Sequence, residues 1–190
     1  MMYKKKRIAK EQLEFRVKVG SALLLLVSVF AGIWYSFYVK EIDTQTFRVI
    51  YTWLSQGPSN IDMIGFNYLV LKSMKKLLFI WLGGWLSFTS PLGWILIFVT
   101  IFSYSFTTTT VILLFGGRGI FIVLFAYGLQ AILFVSIGLV LLKRSVLLLW
   151  GESEREKKVY TKMLIPIVTI SVIVSLLDVV IMNNLQSIIR

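Results

Sequence analysis

The chain has 190 residues, 57% of them hydrophobic, and 20 Lys+Arg against 9 Asp+Glu give it a formal charge of +11. Its mean hydropathy is +0.83, and the apolar residues fall in long unbroken blocks, which excludes a single water-soluble core at this length. The bases cluster at block ends, where anionic headgroups and cytoplasmic loops attract them, and this argues against nucleic-acid binding.

Residues 1–19 hold Lys4, Lys5, Lys6, Arg7, Lys10, Arg16 and Lys18 against only Glu11 and Glu14. They read as a basic cytoplasmic segment, with residues 20–190 forming one transmembrane helical domain. A first span is predicted over 20–39. It is longer than the ~7–15 apolar residues of a cleaved signal. It ends in Trp34, Tyr35, Phe37 and Tyr38, an interfacial belt, so it reads as an uncleaved helix.

Residues 40–66 are predicted to be an outer interfacial segment. Phe47, Val49, Ile50, Tyr51, Trp53 and Leu54 make it partly amphipathic, and Gly57-Pro58-Ser59-Asn60 breaks it. The second span is predicted over 69–89. Its uninterrupted apolar part, 77–88, is too short to cross ~30 Å of hydrocarbon at ~1.5 Å per residue. The span must therefore include lysines. Lys72, Lys76 and Gly83 share a helical stripe. Lys72, Lys75 and Lys76 read as anchors snorkelling to the outer surface or, more sharply, as a docking patch for an acidic outer partner. The Gly83-Gly84 pair lets another helix approach closely.

A turn at Ser90-Pro91-Leu92-Gly93 precedes the third span, 94–115, whose polar belly runs from Ser103 to Thr110. Gly116-Gly117-Arg118-Gly119 reads as a turn rather than a phosphate cradle. The fourth span, 120–142, contains Gln130. Residues 143–162 form a charged amphipathic linker on the cytoplasmic surface. The fifth span, 163–182, has Pro166 in its first turn and Asp178 near its far end. With the N-terminus inside, thirteen bases fall inside and seven outside, so the positive-inside rule sets the orientation. The fold class is all-α: an integral bundle of about five transmembrane helices, N-terminus cytoplasmic, C-terminus outside, in a multi-pass plasma-membrane protein.

Chemistry is narrowly bounded. Histidine and cysteine are absent, which removes disulfides, the commonest general base and the commonest zinc ligand. A histidine-assisted serine protease, an H-E-x-x-H zinc protease and a Walker A ATPase are all excluded. An aspartyl protease needs two carboxylates that meet in the membrane, and only Asp178 lies in a span. No catalytic, cofactor-binding or metal site is predicted. Asp178 reads as pairing with Lys72 or Lys76, as reaching interfacial water, or as part of a proton or ion pathway. Gln130 and Thr107–Thr110 read as hydrogen-bonding glue between helices.

The chain resembles the stage II sporulation protein M family of bacterial membrane proteins. The likeness rests on the basic start leading into one helix and on Trp53-Leu54-Ser55-Gln56 in the outer segment. It continues through Val70-Leu71-Lys72-Ser73-Met74-Lys75-Lys76-Leu77 into Phe79-Ile80-Trp81-Leu82-Gly83, then the Pro91–Gly93 turn and Tyr127-Gly128-Leu129-Gln130. Leu129 stands where the family has a proline, and Ser103, Ser105 and Thr107 stand where it favours glycine. The resemblance implies a non-enzymatic scaffold for peptidoglycan-degrading partners on the outer face during engulfment in endospore formation. Lys72, Lys75, Lys76 and Trp53 would then serve partner docking, and Gly83, Gly84, Gln130 and Asp178 the helix packing and polar core. The alternative is a membrane-spanning transporter subunit working with a separate cytoplasmic ATPase. Membrane lipid is an implied partner in both, and self-association is left open.

Overall fold

A computed structural model describes residues 2–43, 45, 47–49, 52, 63–83, 85, 90–150 and 154–189. The described elements are all helical. Helix α1 is Met2–Ile42, α2 is Met63–Leu82 and α3 is Ser90–Phe115. After the short α4, Gly117–Ile122, a π-helical stretch Val123–Gly128 leads into α5, Leu129–Trp150. Helices α6, Glu154–Lys162, and α7, Leu164–Ile189, complete the chain.

Four helices are long and apolar enough to cross a membrane, with candidate spans Glu11–Ile42, Pro91–Phe115, Leu129–Leu148 and Lys157–Val180. Helix α2 is not among them, because its lysines interrupt the apolar run. The basic first residues of α1 continue the same helix as its apolar part. At ~1.5 Å per residue, 41 residues reach about 60 Å, twice the hydrocarbon thickness.

Named contacts give the helix directions. A Cβ added at Gly20 would sit 3.5 Å from Trp94, and Ser36 shares a 2.9 Å hydrogen bond with Thr110. Helices α1 and α3 therefore run parallel. A Cβ on Gly93 would meet Leu142, and one on Gly138 would meet Ile97, so α5 runs antiparallel to α3. Helix α2 packs along α7. Trp81 near its end is stacked on Tyr160, just before α7 begins, which makes this pair antiparallel.

The core joins α2, α3, α5 and α7 through Leu77, Ile80, Ile97, Ile101, Phe134, Leu141 and Ile167, with Leu24, Leu25 and Val29 of α1 packed against it. In lipid, close packing and interhelical hydrogen bonds hold helices together, because lipid tails are as apolar as the helices themselves. The seam between α1 and α3 shows the packing route. Ser28, Gly32 and Ser36, each four residues apart, are all buried. A Cβ at Gly32 would lie 2.7 Å from both the Phe102 carbonyl oxygen and the Ser105 Cβ, so only glycine permits this approach.

The turn expected over Gly116–Gly119 is confined to Gly116, and Gly117–Gly119 already belong to α4. Gly116 takes φ 57°, and a Cβ on Gly119 would strike the Val111 carbonyl at 2.6 Å. At the opposite end of the bundle, Trp81 Nε1 donates to the Tyr160 carbonyl at 3.1 Å, and the Tyr160 hydroxyl donates to the Trp81 carbonyl at 2.6 Å. Their rings stack at 6.0 Å and 4°. This reciprocal clamp fixes the end of α2.

Candidate functional site

Four of the predicted residues meet in one place. Lys72 and Lys76 of α2, Gln130 of α5 and Asp178 of α7 line a cavity of about 220 Å³. Helix α3 contributes Thr100, Ser103, Tyr104 and Thr107, and Ser73 adds a further hydroxyl from α2. Residues expected to serve two separate roles, outer docking and polar core, thus share one chamber.

Local sequence explains why each side chain points there. Lys72, Ser73 and Lys76 lie within just over one turn of α2, so they occupy neighbouring positions on its surface. Thr100, Ser103, Tyr104 and Thr107 follow the same i, i+3, i+4, i+7 pattern along α3. Gln130 comes directly after the π-helical stretch Val123–Gly128. The wider π turn shifts the register of the helix beyond it, and Gln130 emerges only 3% exposed.

Height in the bundle differs from expectation. Helix α2 starts at Met63, so Lys72 is its tenth residue of 20 and stands at its midpoint. Helix α7 runs on through Asn183, Asn184 and Gln186 to Ile189, so Asp178 lies about 16 Å short of its end. Ser103 is close to the middle of α3. The polar side chains after Met182 end the apolar pattern, but without Gly or Pro they do not end the helix. The cavity is therefore at mid-height, and Lys72 and Asp178 lie well inside their helices.

The polar bonding is partly closed. Gln130 Nε2 donates to Asp178 Oδ1 at 2.8 Å. Thr100 donates to the Leu96 carbonyl at 2.7 Å and Ser103 to the Val99 carbonyl at 2.8 Å, so both offer the cavity only lone pairs. Asp178 is within electrostatic reach of Lys72 and Lys76, but among the described residues it makes no ion pair with either. Two ammonium groups thus stand near one carboxylate without contacting it. Charged side chains at mid-height of an apolar bundle are costly unless they are paired or hydrated.

The remaining predicted residues lie elsewhere. Lys75 is exposed and does not line the cavity. Gly83 is buried in the turn that ends α2, where its N–H bonds the Phe79 carbonyl at 3.1 Å. It is thus outside the helical stripe expected to contain it. Trp53 and Gly84 fall outside the described residues, as does most of the predicted 40–66 segment.

Sequence reasoning missed Gly32, Tyr104 and the Trp81–Tyr160 clamp. Small residues every four positions in α1 were the available signal for Gly32. Nothing local marks Tyr160, because its partner is 79 residues away. No family model, curated protein or solved structure matches this chain.

Proposed function

We propose that this chain is a five-pass plasma-membrane scaffold that anchors peptidoglycan-degrading partners for septal wall remodelling during endospore formation. Its N-terminus is cytoplasmic, its C-terminus is outside, and its partners do the hydrolysis. Helix α2 is the fifth span in this reading. Its packing along α7 and the Trp81–Tyr160 clamp support that placement.

The observation that carries the reading is the lysine-bearing surface of α2. Lys72, Lys75 and Lys76 are exposed cations on a helix clamped at one end and packed along its length. Rigid charged groups on an open helix face suit recognition of a membrane-anchored partner. The adjoining cavity offers two ammonium groups, one carboxylate, an amide and hydroxyls, with the amide bonded to the carboxylate.

One observation favours a second reading, the transporter subunit. Gln130 and Asp178 bridge α5 and α7 inside a polar chamber, the kind of mid-membrane site that solute pathways use.

A cross-linked pull-down from native membranes separates the two. Recovery of outer-face peptidoglycan hydrolases is the expected outcome. Recovery of a cytoplasmic ATPase without any hydrolase would overturn the scaffold and make this a transporter subunit.

A further inference from the structure

The cavity between α2 and α3 has an open side. Lys72 and Lys76 on one edge and Ser103 on the other are all exposed. The opening is at mid-height, where a spanning bundle faces other helices and lipid tails rather than water or headgroups. Formal charge on its walls sums to +1, from two lysines and Asp178. Low-dielectric surroundings make an unbalanced charge costly unless a counter-charge arrives with the occupant.

We propose that this opening is a lateral slot for a transmembrane helix of a different protein, one carrying a single carboxylate at mid-membrane height. Three features select that occupant. The six N–H donors of two ammonium groups outnumber the oxygens of Asp178, which already accepts from Gln130. Ser73 and Ser103 flank the opening and leave room for a neighbouring backbone. A second copy of this chain cannot supply the carboxylate. Of its nine acidic residues, Glu11, Glu14 and Glu41 lie near the two ends of the candidate span Glu11–Ile42, and those at 43, 62, 152, 154 and 156 lie outside the candidate spans. The ninth, Asp178, is already committed to the cavity. A membrane-anchored partner recognised this way would be held beside the bundle by its own span, leaving its outer domain free.

The inference rests on α2 standing in the membrane, as the scaffold reading requires, but not on what the partner's outer domain does. The test uses the full chain in phosphatidylcholine vesicles. The probes are a leucine–alanine transmembrane peptide with one central glutamate and its glutamine twin, read by energy transfer. The glutamate peptide binds about tenfold more tightly, the size of one good interhelical polar contact. Lys72→Met with Lys76→Met removes the preference, whereas Asp178→Asn, which deletes the internal competitor, enlarges it. These opposite signs keep a folding defect from imitating the result.

Equal affinity for the two peptides would overturn the slot, as would a preference that survives loss of both lysines. Abolition of the preference by phosphatidylglycerol would give the site to lipid phosphate instead. A spin label on Leu71→Cys, in a chain without native cysteine, reports where α2 lies. Oxygen-accessible, nickel-inaccessible label supports α2 as a span, and the reverse removes the five-pass reading and the slot together. Failure of the peptide preference with the label deep in the bilayer removes the slot alone.

Discussion

Helix α3 faces two neighbours in contrasting ways. Toward α1 it meets Gly32 so closely that a methyl group would collide with backbone, and the one cross-helix hydrogen bond there among the described residues, Ser36 to Thr110, is buried. Toward α2 it leaves about 220 Å³ lined by lysines, hydroxyls and a carboxylate. The first seam is built for affinity between helices. The second sacrifices packing to keep charge at mid-height, which a purely structural bundle has no reason to do.

The largest expected effect tests the cost of that charge. Replacing Lys72 by leucine makes insertion of the 63–82 segment more favourable by roughly 3 kcal/mol on the translocon scale. Glycosylation-site mapping of the segment in microsomes measures it. An unchanged insertion level would mean that Lys72 does not experience the hydrocarbon core.

Next comes the tight seam. Gly32→Leu forces α1 off α3 and destabilises the bundle by about 1–3 kcal/mol, the usual range for overpacking. Thermal unfolding in detergent, followed by circular dichroism, reports this. Gly117→Leu is the control, since a Cβ there meets nothing within 4 Å.

Within the cavity, Gln130→Leu removes the hydrogen bond to Asp178. It lowers stability by about 0.6–1.7 kcal/mol, the span of measured interhelical polar contacts. The same thermal assay reads it. A loss well above that range would show that the pair organises more of the bundle than one contact.

The smallest effect is at the basic end. Glu14 and Lys143 form a 3.6 Å ion pair with both side chains about one-third exposed. Glu14→Gln changes stability by less than about 1 kcal/mol, and added salt narrows the difference further.

Much of this was legible along the chain. Gly116 as a turn, Pro166 in the first helical turn and the apolar spans of α1, α3, α5 and α7 all follow from local pattern and local sterics, whereas Gly117–Gly119, expected to belong to the turn, already lie in α4. Helix ends were less legible. The sequence places Asp178 near an outer end because apolar character stops at Met182, yet backbone hydrogen bonding carries α7 on to Ile189. Gly83 shows the reverse error, since the stripe it was assigned to ends one residue earlier at Leu82.

Composition and periodicity alone determined that the chain is helical, apolar and rich in bases at its block ends, because those properties depend only on neighbours along the backbone. The absence of histidine and cysteine likewise bounds its chemistry without any coordinates. Only the tertiary structure decided that Lys72, Lys76, Gln130 and Asp178 share one chamber, and that Trp81 and Tyr160 lock α2 in place. Those contacts join residues 48 to 106 positions apart. Their meeting depends on helix direction, crossing and a π-helical register shift, none of which a local pattern encodes.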